Sequence, residues 1–130
     1  MVSPNQDVSR EVTHFEIEKL AKAIECFRNN SGEYTREIPV QVIATFLYVA
    51  SHDDCNKIDM ERALCLSSAS GSRNTDWLSD QHRLGKPGLR MVYRKPGETS
   101  KKGHKYQHVF LTEKGKETAI LIRKILYPHT

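Results

Sequence analysis

No apolar run in this chain of 130 residues approaches the roughly 18 residues of a membrane span. Its first residues, MVSPNQDVSREV, lack the basic and apolar blocks of a secretory signal, so a cytoplasmic location without a membrane is expected. Cysteine is scarce. Cys26, Cys55 and Cys65 form no Cys-x-x-Cys pair, and an odd count at irregular spacing fits reduced thiols rather than a disulfide framework. A phosphate loop, a nucleophile elbow and a placed carboxylate pair are all missing, so no enzyme activity is expected. His52, Asp53, Asp54 and Cys55 are metal-ligating types, but they are consecutive and poorly spaced to surround an ion. His104 and His108 read as polar hairpin residues. No metal or cofactor is expected.

What is present is charge, unevenly placed. The net charge is +4, with 38% apolar residues and a mean hydropathy of −0.59. Residues 1–82 hold 8 Lys/Arg and 13 Asp/Glu, a balance of −5, whereas residues 83–130 hold 12 and 3, a balance of +9. A basic half built on strand and turn signals points to a polyanion, most often nucleic acid. The length fits a single domain with one modest core.

Hydrophobic spacing predicts a helix over about 8–29, with Val8, Val12, Phe15 (or Glu16), Leu20, Ile24 and Phe27 at three- and four-residue steps. Ile17, Ala21 and Ala23 widen its apolar face, which suggests a partner subunit. A second helix follows, with Pro39 at its first position and Val42, Ile43, Phe46, Leu47 and Ala50 as its buried stripe. A helix-turn-helix is expected at about 58–82. Its first helix is capped by Asp59 and anchored by Ile58, Met60 or Ala63, and Leu64. Its turn is at Cys65–Leu66, and its second helix, capped by Ser67 or Ser68, runs to about Gln81. Gly71, Thr75 and Leu78 would face inward. A hairpin occupies about 88–112, with strands at 89–94 and 106–111, a turn at Pro96–Gly97 and a second bend at Gly103. A last helix over about 113–127, capped by Thr112, is apolar around much of its girth.

A helix-turn-helix followed by a basic two-stranded hairpin is the winged-helix plan, in which the second helix of the pair enters the DNA major groove. The stretch CLSSASGSRNTDWLSD then reads as a recognition helix with a sparse polar face. Ser67, Ser68, Ser70 and Ser72 permit close approach to phosphates and bases. Arg73 can fork onto a guanine edge or a phosphate, and Asn74 can pair with an adenine edge. In the hairpin, Arg94, Lys95, Lys101, Lys102 and Lys105 face a single acid, Glu98, and are expected to contact the DNA backbone.

On these motifs the chain resembles the MarR (multiple antibiotic resistance regulator) family of winged-helix regulators. LSSASGSRNTDWL looks like that family's recognition segment, and VFLTEKGKETAILIRKIL like its closing strand, threonine-capped start and final helix. The Leu111-Thr112-x-x-Gly115 element and the Ser72-Arg73 pair are the most specific pieces. The phrase HRLGKPGL resembles phage- and plasmid-encoded members. Cys65 stands where the family often has glycine, Gly71 where it has an apolar residue, and the Asp-x-Arg pair of its wing tip is replaced by lysines.

The resemblance implies a homodimer held by the first and last helices, a pseudo-palindromic duplex as target, and transcriptional control, usually repression. It leaves room for a small-molecule effector. The expected fold is mainly α with a small β-hairpin: a winged helix-turn-helix with N- and C-terminal dimerisation helices. The expected function is a sequence-specific regulator that binds double-stranded DNA. The competing reading is a winged-helix module whose basic face binds an acidic partner protein.

Overall fold

The computed structural model describes residues 4–32, 37–80, 87–99 and 105–129. In chain order the elements are α1 (Pro4–Asn30), α2 (Val40–Ala50), β1 (Cys55–Asn56), α3 (Lys57–Ala63), α4 (Ser68–Leu78), β2 (Val92–Thr99), β3 (Lys105–Leu111) and α5 (Glu113–Leu126). Helix α1 begins earlier than its apolar periodicity, and α4 stops at Leu78, short of Gln81.

Pro39 precedes α2 as its N-cap residue rather than opening it, and Val42, Ile43, Thr45, Phe46 and Val49 form the buried stripe. Leu47 and Ala50 are only half-buried against it. Phe46 packs on Phe27 of α1, ring centroids 4.9 Å apart and tilted by 45°. Ala23 and Ile122 are buried in the same core, which continues through Met60, Leu78, Leu89, Met91, Val92 and Val109 under the helix-turn-helix and the sheet. Ile122 therefore belongs to the core of one chain.

The cap of α3 is Asn56, not Asp59. The Asn56 side chain accepts from the amides of Ile58 (2.8 Å) and Asp59 (3.4 Å). Asp59 lies in the first turn, where its charge suits the positive end of the helix. Ile58 is exposed and anchors nothing; Met60 is the buried anchor.

After Leu64 the chain turns through a Schellman motif. The amide of Leu66 donates to the Glu61 carbonyl (2.8 Å) and that of Cys65 to Arg62 (3.3 Å), while Cys65 adopts a left-handed φ of 55°. A cysteine there carries a steric cost that glycine avoids. Cys65→Gly should therefore stabilise the fold by about 1 kcal/mol, a rise of roughly 3–5 °C in thermal midpoint. A drop in midpoint by calorimetry would contradict the assigned turn.

Among the described residues the sheet has three strands, one more than a simple hairpin. It is antiparallel in the order β1-β3-β2, with Cys55 opposite Val109 and Val92 opposite Leu111. Residues 89–91 are not strand. They link back to α4, with the amides of Leu89 and Met91 bonded to the carbonyls of Trp77 and Leu78, both at 2.8 Å. Pro96–Gly97 is likewise not the turn. Strand β2 runs through it, with Pro96 opposite Gln107 and an irregularity between Pro96 and Thr99. Proline is tolerated because β2 is an edge strand, so no ladder bond is lost on its outer side. The Gly103 bend lies outside the described residues.

The Leu111-Thr112-x-x-Gly115 element joins the wing to α5. Thr112 Oγ1 accepts from the Gly115 amide (3.1 Å) and donates to the Arg90 carbonyl (2.7 Å). Gly115 is required because a Cβ there would collide with the Met91 carbonyl. Lys114 Nζ donates to the carbonyls of Leu89 (2.8 Å) and Ser31 (3.1 Å), tying α5 to the link and to the end of α1.

Candidate nucleic-acid interface

Helix α4 divides into two faces. Gly71, Asn74, Thr75 and Leu78 are buried, whereas Ser67, Ser68 and Arg73 are exposed and Ser70 and Ser72 are partly so. Inward residues recur at three- and four-residue steps, so the outward face falls to the serines and Arg73.

That outward face is organised. Ser67 caps the helix by accepting from the Ser70 amide (3.1 Å). Its hydroxyl also donates to Ser70 Oγ (3.0 Å), and Arg73 Nη2 donates to the same Ser70 oxygen (3.0 Å). Three residues at successive steps of three thus form a ladder that draws the guanidinium toward the N-terminus of α4. First-turn amides and the helix dipole favour an anion at that end. A short polar surface with one directed guanidinium can meet phosphates along its edge and a base edge at its centre.

Asn74 is not on this surface. It is 6% exposed, and its Nδ2 donates to Thr45 Oγ1 of α2 (3.2 Å), which in turn donates to the Gln41 carbonyl (2.7 Å). Its spacing from Gly71 and Leu78 places it on the packed side, where it locks α4 to α2. The adenine contact expected of Asn74 is therefore not open to this side chain.

Arg94 is also committed elsewhere. Its Nη2 lies 2.8 Å from Asp76 Oδ1, and its Nη1 donates to Thr75 Oγ1 (3.4 Å). Strand alternation puts Arg94 on the same face of β2 as Val92, toward α4. It therefore clamps the wing to the recognition helix and neutralises the acid on that helix, rather than reaching outward. Arg94→Ala should weaken binding to every duplex by about tenfold, because Asp76 then repels phosphate. Adding Asp76→Asn should recover most of the loss, and a filter-binding comparison of the three proteins decides. If Asp76→Asn recovers nothing, the effect lies in Arg94 itself.

Lys95 is exposed on the opposite face of β2, 5.9 Å from the centroid of the Tyr93 ring. Tyr93 stacks on Phe110 (5.5 Å), and Phe110 stacks with His108 (6.3 Å). His108 Nδ1 meets Asp54 Oδ1 at 2.5 Å, joining β3 to the segment before β1. His52 stacks on Tyr48 at 4.0 Å. Lys105 lies at the start of β3; Lys101, Lys102 and His104 lie outside the described residues. Cys55 is buried, and its thiol is pushed up to about 11 by burial, then by Asp59 and Asp54. Cys65 is exposed in the turn and Cys26 half-buried.

Away from α4, α1 and α5 expose Ile17, Leu20, Ile120 and Leu121, and Tyr127 is exposed just past the end of α5. An apolar groove of about 310 Å³ runs between α2 and α5, lined by Phe46, Leu47, Ala119, Ile120 and Leu126 among others. Among the described residues no helix is long and apolar enough to cross a membrane.

No protein-family model matches the chain, and no curated protein matches it by sequence. Solved structures do match it in three dimensions. The S. aureus MepR–DNA complex superposes with a TM-score of 0.58 at 18% identity, over 91% of this chain and 81% of that one. A MepR mutant from a multidrug-resistant S. aureus clinical isolate gives 0.60 at 16%, over 96% and 77%. Reduced AbfR bound to DNA gives 0.53 at 17%, over 95% and 72%. At this identity the likeness is one of architecture: the chain has the winged helix-turn-helix fold of MepR and AbfR.

Proposed function

We propose that this chain is a MarR-type transcriptional regulator that binds double-stranded DNA with sequence specificity, as a homodimeric repressor on a pseudo-palindromic site. The outward face of α4 carries the reading. The buried residues of that helix, Gly71, Asn74, Thr75 and Leu78, are turned inward, and its outward face offers an amide-rich N-terminus, the serines at 67, 68, 70 and 72, and the Ser70-directed Arg73. The basic wing residues Lys95, Lys101, Lys102 and Lys105 would add sequence-independent contacts to the backbone. MepR and AbfR, which share the fold, have been solved on DNA, and this supports the same use here. The acidic-partner reading has no such support.

The exposed apolar residues of α1 and α5 support dimerisation, since a monomer would leave Ile17, Leu20, Ile120 and Leu121 in water. The apolar groove between α2 and α5 shares Ile120 with this surface, so an effector bound there would sit against the partner subunit.

Filter binding to random duplex and selection from a random duplex pool test the reading together. Affinity for random duplex should fall with salt at a log–log slope of several units, about 0.9 for each phosphate contacted. The selected pool should converge on two related half-sites about one helical turn apart. A flat salt response, or a pool with no enriched sequence, would overturn it.

A further inference from the structure

A charged pair is buried inside the helix-turn-helix. Lys57 Nζ sits 2.6 Å from Glu61 Oε2, with the two side chains only 10% and 8% exposed. Lys57 also donates to the Ser68 carbonyl in the first turn of α4 (3.4 Å). The Glu61 side chain fills the space beside Gly71, where a Cβ would collide with its carboxylate and stand 2.6 Å from its Cγ. So the α4 residue that faces α3 has no side chain, and an acid from α3 occupies the notch.

Neither choice favours stability. Desolvating two charges offsets most of their attraction, and apolar residues of similar volume often replace such pairs without loss. Glycine inside a helix weakens it. Both choices occur at one contact, and that contact sets the spacing of α3 and α4. What the arrangement supplies is geometry. The carboxylate keyed into the Gly71 notch defines where α4 sits along its axis, and the Lys57 bond to Ser68 holds the helix beside its outward serines.

We propose that Lys57 and Glu61 are positioning residues for DNA recognition. They set the depth and pitch of α4, and hence the reach of Arg73 and the serines, without touching DNA themselves. The proposal rests on the DNA-binding reading above. Replacing the pair by apolar residues then lets α4 settle differently while the domain stays folded, so sequence discrimination is lost before stability is.

The test compares the wild-type protein with Lys57→Met/Glu61→Leu, which leaves the net charge unchanged. Each is titrated at one salt concentration against the duplex selected by the wild type and a scrambled duplex of equal length, and each is melted. The double variant should melt at the same temperature or higher. Its affinity for the selected duplex should fall at least about tenfold, as for a misplaced base contact. Its affinity for the scrambled duplex should stay within about twofold, because the outward charges are untouched. Gly71→Ala, which displaces the carboxylate but favours the helix, should show the same selective loss and keeps the test available if the double variant fails to fold. Unchanged discrimination in a folded variant overturns the proposal, and so does an equal loss on both duplexes. A wild type that binds no duplex removes the DNA-binding reading and this proposal together, whereas a discriminating wild type with unaltered variants removes the positioning role alone.

Discussion

Ile120→Asp/Leu121→Asp should convert the proposed dimer to a 14.9 kDa monomer and reduce its affinity for the selected duplex roughly 100-fold or more. Ile120 is 53% and Leu121 41% exposed on α5, and Ile17 is 60% exposed on the neighbouring α1. In a dimer that closes over these residues, two carboxylates would be buried without partners, a cost that association does not recover. Losing the second subunit removes the linked second half-site contact, so affinity falls by the effective concentration that linkage had supplied. The choice of positions matters. Ile122, next in sequence, is buried within one chain, and an aspartate there would unfold the domain and mimic a dimer defect. Light scattering gives the mass and far-ultraviolet circular dichroism the fold. A folded dimer after both substitutions would place the subunit interface elsewhere, and a folded monomer of undiminished affinity would show that one winged helix suffices.

Arg73→Ala should cost about 1–3 kcal/mol on the selected duplex and clearly less on scrambled DNA. Arg73 is the only cation on the described outward face of α4, and its guanidinium is aimed by Ser70, itself bonded to the capping Ser67. A guanidinium held in one orientation can meet a guanine edge in a bidentate way; a swinging one behaves as a point charge. Ser70→Ala should therefore lose part of the same discrimination while leaving the charge in place. Lysine at 73 should keep the non-specific affinity and lose the specific part. Equal losses on selected and scrambled DNA for Arg73→Ala would reduce this residue to a phosphate clamp and leave specificity to the serines or to DNA shape. Asn74 makes a useful contrast. Its side chain bonds Thr45, so Asn74→Ala should act through stability rather than through readout.

Much of this protein is written locally in its sequence. Apolar spacing was enough to place the first, second and last helices, because burial on one face repeats at the period of the helix. Two of the three side-chain caps were legible for the same reason, Thr112 outright and Ser67 as one of two adjacent serines, since each bonds an amide three residues away; at α3 the reading fell on Asp59 where Asn56 is the cap. The inward run of Gly71, Thr75 and Leu78 followed from spacing, and extending the same rule by one residue would have turned Asn74 inward as well. Its chemistry, so well suited to adenine, obscured its position. What tertiary structure alone decided are contacts between residues far apart in the chain. Cys55–Asn56 became a third strand only because β3 offered an open edge, and two residues carry no strand signal of their own. Pro96 reads as a turn in isolation, yet it sits in a strand because that strand is at the edge of the sheet, where its missing N–H is not needed. Arg94 looked like one more wing cation until strand alternation brought it to Asp76, eighteen residues back along the chain. Gly71 looked like a weak point in a helix until the Glu61 carboxylate was found in the space it leaves. Local rules assign faces and ends; which charge meets which partner depends on how separate elements pack, and no periodicity in one segment contains that information.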